Sequence, residues 1–152
     1  MKKLLKLALV LGAVGTLTAC QTTQMEKVAQ TPSGMPDVTF NQSKSIVQSK
    51  ISKLCFDNGW FVSDQSDNHV LCEGRLSPTQ DIMITAFLKP AYATETELLI
   101  RFQTSSYDGK TRVVAKQWIQ WQNAFGQETK HTLNSVEQFN LVQSKLYSIG
   151  GK

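Results

Sequence analysis

Between residues 96 and 122 apolar side chains fall at every second position in two successive runs. Leu98, Ile100 and Phe102 alternate with Arg101 and Gln103, and Val113, Ala115, Ile119 and Trp121 alternate with Arg112, Lys116 and Gln120. A period of two sends neighbouring side chains to opposite faces of a strand, so this chain must build a sheet covered on one face only. Tyr107-Asp108-Gly109-Lys110 joins the runs with the Asp-Gly signature of a hairpin turn. Upstream, residues 60–65 and 69–76 flank a Ser66-Asp67-Asn68 turn, with Val70, Cys72, Gly74 and Leu76 on one face. Residues 81–89 set Ile82, Ile84, Ala86 and Leu88 against Met83, Thr85 and Phe87.

Helical periods bracket these strands. Val47, Ile51, Leu54 and Cys55 recur on one face of a first helix, with Ser43 or Asn41 as its N-cap and Asn58-Gly59 as its stop. Lys44, Lys50 and Lys53 fall on its solvated side. Val136, Phe139, Val142 and Leu146 stripe a second helix, capped by Asn134 with Glu137 three residues on and closed by Gly150-Gly151. The expected order is α-β-β-β-β-β-α. This is an α+β domain over residues 40–150, a five-stranded antiparallel meander with the N-terminal and C-terminal helices on one face. The arrangement resembles a helix-grip or related two-layer α+β module, such as those of the BamC lipoprotein.

The first twenty residues carry a different message. Lys2, Lys3 and Lys6 precede an apolar run from Leu7 to Leu17, which is of signal-peptide length and shorter than the roughly 20 residues a bilayer span needs. Leu17-Thr18-Ala19-Cys20 follows. This resembles the lipobox of bacterial lipoproteins, and the resemblance implies removal of residues 1–19 and acylation of Cys20, including palmitate-type chains. Each buried CH₂ adds about 0.8 kcal/mol of membrane affinity, so such an anchor is essentially permanent. Gln21, where enteric lipoproteins retained at the inner membrane carry Asp, implies the outer membrane, with the domain facing the periplasm. Residues 20–39 are polar and hold Pro32-Ser33-Gly34 and Pro36, so they are expected to form a lipidated flexible tether reaching roughly 25 Å.

With Cys20 acylated, Cys55 and Cys72 make an even pair in an oxidising compartment. Both face the layer between helix and sheet, as a disulfide between them requires; two separate buried thiols are the alternative. A bridge would close a loop of about 18 residues and contribute roughly 3 kcal/mol in the chain-entropy model.

Patterns that carry catalysis are sparse. Asp64-Gln65-Ser66-Asp67-Asn68-His69 gathers oxygen and imidazole ligands, but the same residue types are those a turn selects, and no metal site is expected. His131 has no apparent partner. Glu95 and Glu97 read as a solvated strand edge. Two His and no nucleophile elbow leave no assignable triad, and there is no P-loop, GxGxxG or zinc spacing, so neither an enzyme nor a cofactor is expected.

What stands out is aromatic and apolar surface away from the helices. Trp118 and Val114, with Met83 and Phe87, lie opposite the inward set, rimmed by Arg101, Arg112 and Lys116. Apolar area with a polar rim marks a partner surface, the alternative being a second core layer. The net charge of +4 raises nucleic acid as a partner. Without Lys2, Lys3 and Lys6, however, 13 basic residues face the same 12 acidic ones, which removes that argument. The sequence therefore points to a non-enzymatic lipoprotein that is anchored to the membrane by lipid and docks onto another envelope component. The alternative is a small-ligand or glycan binder, and behind it a peptidoglycan-acting enzyme.

Overall fold

The computed structural model describes residues 25–76 and 94–152, which hold six strands and two helices. They run β1 (Asp37–Phe40), α1 (Lys44–Asp57), β2 (Phe61–Ser66), β3 (His69–Arg75), β4 (Glu97–Tyr107), β5 (Lys110–Gln122), β6 (Glu128–Thr132) and α2 (Val136–Ser148). All pairings are antiparallel, and the sheet order is β1-β5-β4-β3-β2. β6 pairs the same β5 further along, from Trp118↔Thr132 to Gln122↔Glu128, whereas β1 pairs its beginning from Phe40↔Thr111 to Asp37↔Val114.

The expected α+β class and its antiparallel sheet hold, with a different strand count. β3 pairs β4 directly over seven positions, so no further strand stands between them. The segment 81–89, with Met83 and Phe87, lies outside the described residues. β1 and β6 were not expected. β1 begins three residues inside the stretch read as tether, because Val38 and Phe40 alternate with Asp37 and Thr39 and bury completely. Further upstream, Asn140 of α2 accepts from the Val28 N–H at 2.8 Å and donates to the Glu26 carbonyl at 2.8 Å. The Ala115 N–H donates to the Pro36 carbonyl at 2.8 Å, so contact with β5 continues one residue beyond β1, where proline can accept but not donate.

Both helices feed one core. Val47, Ile51, Leu54 and Cys55 of α1 and Val142 and Leu146 of α2 pack with Val38, Phe40, Val70, Ile100, Phe102, Val113 and Ala115. Each large side chain so enclosed contributes about 1.5–3 kcal/mol. Ser43 precedes α1 but makes no side-chain cap bond. Gly59, at φ +72, reverses the chain, and the Trp60 N–H returns to the Cys55 carbonyl at 2.9 Å. α2 is capped by Ser135 rather than Asn134, its hydroxyl accepting from the Gln138 N–H at 3.2 Å.

Two buried glutamines tie the helices to the sheet. Gln48 of α1 donates to the carbonyls of Ser66 and Asp67 and to the Thr104 hydroxyl, gripping the β2–β3 turn. Gln143 of α2 accepts from the Asp37 N–H at 2.8 Å and donates to the Asp37 carbonyl at 3.2 Å. A buried amide is stabilising only when its own groups are satisfied; Gln143 meets that condition at both its oxygen and its nitrogen through Asp37, and Gln48 at its nitrogen.

Cys55 and Cys72 form a disulfide with Cα atoms 6.1 Å apart, joining α1 to β3. Replacing both with Ala is expected to remove about 3 kcal/mol of stability, read as a lower urea midpoint. Close packing imposes a second limit: Trp60 lies over Gly74, so a Cβ there would fall inside the indole envelope. Gly74→Ala is expected to cost about 1–3 kcal/mol, measurable by thermal melting.

Candidate functional site

The face of the sheet that carries neither helix is set by register. β4 and β5 place Leu99 opposite Trp118, Arg101 opposite Lys116, Gln103 opposite Val114 and Ser105 opposite Arg112. β6 adds Thr132 beside Trp118 and Lys130 beside Gln120. Trp118, Val114, Arg112 and Lys116 thus share one face, as the alternation implied. Met83, Phe87 and Cys20 lie outside the described residues.

Trp118 is not an exposed ring. It is 9% exposed and Leu99 beside it 4%, although both point away from the helices. The indole N–H donates to Gln120 Oε1 at 3.0 Å. The Arg101 guanidinium stands 5.9 Å and the Lys130 ammonium 6.0 Å from the ring centroid, within reach of a cation–π attraction. A cavity of about 240 Å³ opens among Arg101, Lys116, Trp118, Lys130 and Thr132. Acids share the same face: Glu73 stands opposite Leu99, and burial and the charge of Glu97 together raise its carboxyl above the usual range. Arg75 stands opposite Glu97, and Lys130 lies in the same cross-strand row beyond Gln120, so charges of both signs share this face.

Arg112, expected on the rim, is engaged elsewhere. Its guanidinium binds both carboxylate oxygens of Asp37, with Nε to Oδ1 at 2.9 Å, and the Asp37 side chain is 5% exposed. Burial works to raise the Asp37 pKa, but hydrogen bonds and charge from Arg112, with hydrogen bonds from Ser33, outweigh it and hold the group below its usual range. The pair borders a cavity of about 530 Å³ lined also by Tyr107, Tyr147 and Lys152.

A third cluster lies in residues 64–69, whose residue types suit a ligand set but point to a turn. At the β2–β3 hairpin His69 Nε2 lies 2.8 Å from Asp64 Oδ2, and His69 Nδ1 lies 2.7 Å from Ser66 Oγ. The order carboxylate, imidazole, hydroxyl is the one that activates a serine. Here Ser66 Oγ also donates to Asn68 Oδ1 at 2.9 Å, and the cavities beside Trp118 and beside the Asp37–Arg112 pair are lined by other residues. The hydrogen bonds close on the turn itself and brace it. Asp67, read as a possible ligand in the same stretch, instead pairs with Lys44 at 2.7 Å. Among the described residues no three His, Cys, Asp or Glu side chains gather closely enough to hold a metal ion. Glu95, Glu97 and Glu128 line a cavity of about 200 Å³ with Gln120 and Trp121.

Lys130 and Thr132 were missed because β6 has no apolar period to reveal it: all five of its residues are exposed. The β-branched Thr129 and Thr132 around Lys130 were the available signal. Compared with protein-family models, curated proteins and solved structures, the chain finds no match in any of the three.

The Asp37–Arg112 pair makes a pH prediction. A carboxyl whose folded pKa is depressed adds stability that is complete above the unfolded value of about 3.9 and is lost as pH falls through the folded value. Wild-type stability should therefore drop on acidification below about pH 4 more steeply than that of Asp37→Asn. Urea midpoints across that window would show it, and parallel curves would remove the pair from acid sensitivity.

Proposed function

We propose that the chain is an exported lipoprotein, anchored through Cys20 in the outer membrane, whose domain is a non-enzymatic accessory module docking onto another envelope component. The observation that carries this reading is the helix-free sheet face. There Trp118 and Leu99 form an apolar floor, Arg101, Lys116 and Lys130 supply one sign of charge, and Glu73 and Glu97 supply the other. A surface carrying both signs of charge around a buried aromatic suits recognition, because charge steers the encounter and fixes orientation while the floor excludes water. Export is supported by the Cys55–Cys72 bond, which persists in oxidising compartments such as the periplasm, and by the lipobox-like Leu17-Thr18-Ala19-Cys20. The partner is an envelope protein of a secretion or conjugation apparatus, an outer-membrane assembly factor, or an incoming agent to be excluded. The cavity of about 530 Å³ beside Tyr107 and Tyr147 favours a second reading, capture of a small ligand or glycan.

A photoreactive amino acid at Gln103, exposed on the helix-free face, is compared in intact cells with one at Ser144, exposed on α2. One stoichiometric protein adduct from position 103 and none from position 144 is expected. Equal labelling from both, or recovery of muropeptides alone, would reject docking through this face. Intact mass of the same material should show acyl chains at Cys20. Ester hydrolysis that disappears in Ser66→Ala would reject the non-enzymatic reading.

A further inference from the structure

We propose that the cavity beside Trp118 is a binding site for a phosphate monoester, carried on a sugar or on a lipid headgroup. The inference rests on the reading of the helix-free face as the working surface and gives that surface a ligand chemistry.

The argument begins with register. Arg101 on β4 and Lys116 on β5 are Cα partners, directly opposite each other on one face. Like charges so placed repel and destabilise the strand pair. Among the described residues neither has an acidic partner. Lys130 stands on the third strand of the same cavity, and the acid it meets is Glu128, at 2.9 Å. The residues lining the cavity of about 240 Å³ thus carry three positive charges and no carboxylate, the nearest acids by pairing being Glu128 on Lys130 and Glu73 opposite Leu99. A phosphate monoester carries close to two negative charges at neutral pH and offers three strong acceptor oxygens.

The walls suit that group as well as the charge does. Arg101 can meet two phosphate oxygens at once through its planar fork, while Lys116 and Lys130 act as point charges on flexible stems. The Thr132 hydroxyl lines the same space and can donate a neutral hydrogen bond. The floor is Trp118, 9% exposed, with Leu99 next to it at 4%. An apolar floor lowers the local dielectric and strengthens each ion contact compared with an open surface. Trp118 also holds two of the cations in place, since Arg101 and Lys130 both stand about 6 Å from its ring centroid. The guanidinium and ammonium are thereby positioned before a ligand arrives. Bound phosphate would relieve the Arg101–Lys116 repulsion, so ligand binding and sheet stability are linked.

The test uses the full domain with its disulfide intact. Glucose 6-phosphate is titrated calorimetrically, with glucose as the neutral control, and phosphatidylcholine vesicles are compared with and without phosphatidic acid. Binding in either phosphate arm, weakening with added sodium chloride and absent with glucose, is expected; which arm responds identifies the carrier. Arg101→Gln and Lys116→Gln should each weaken binding tenfold or more while leaving the melting temperature in phosphate-free buffer unchanged or higher. Glucose 6-phosphate should raise the wild-type melting temperature but not that of the double variant. No binding in either arm, or equal binding by wild type and double variant, overturns the proposal. A crosslinked partner without phosphate binding would defeat this inference and leave docking intact, and phosphate binding without any crosslinked partner would do the reverse.

Discussion

Strand β5 is the member against which every other strand but two is registered. Along one edge it pairs β4 from Tyr107↔Lys110 to Glu97↔Gln120, and its opposite edge is divided between β1 and β6. Its thirteen residues alternate without a break, with Val113, Ala115, Gln117, Ile119 and Trp121 on the helix side and Arg112, Val114, Lys116, Trp118 and Gln120 on the other. Register along such a strand is strict, since a slip of one residue would exchange the two sets. The core and the candidate site are consequently two sides of one constraint. The pairing that buries Val113 and Ala115 is the same one that sets Lys116 against Arg101.

The remaining elements hold this strand at defined angles to the helices. Gln143 reads the backbone of Asp37 as a neighbouring strand would, and Arg112 grips the same residue's carboxylate from the outer face. Asp37 is thus held through both its backbone and its side chain. Gln48 does the equivalent at the opposite side of the sheet, where the β2–β3 turn receives its amide, and the Cys55–Cys72 bond holds the same helix a short distance away. Neither glutamine is conspicuous in a hydrophobic pattern. Their importance comes from which backbone groups lie within reach, and that depends on the finished packing.

The legible parts of the chain were those where one physical signal ruled alone. The α1 stripe, the Gly59 stop, the Asp-Gly turn and both long strands follow from periodicity and left-handed turn preferences, and the pairing of Cys55 with Cys72 follows from both facing one layer. β1 was hidden by its surroundings: Val38 and Phe40 alternate correctly, but four residues beside Pro36 and Gly34 look like the end of a loop. β6 was hidden because it contacts no core and so has no apolar side to show. In the candidate site, Trp118, Lys116 and Arg101 could be placed on a face, whereas Lys130 and Thr132 arrive only through β6. The burial of Trp118 was not readable, because alternation tells which face a side chain occupies and not how deeply it sits there.

The Lys152 backbone exchanges two hydrogen bonds with Thr39, so the far edge of β1 is held by the residues that follow α2. A pull on residue 36 along the strand axis would meet two rows of bonds in shear, one to β5 and one to this short clamp. It would also have to draw Val38 and Phe40 through the core before anything else moved. Gly151 is seated against Val38, with no room for a Cβ, so the clamp and the buried strand interlock. For a domain hung from a membrane by the chain that enters β1, the load would arrive at its most deeply keyed strand. The attachment point is then a mechanical strong point, and motion of the anchor would turn the domain as a whole before it could unravel it.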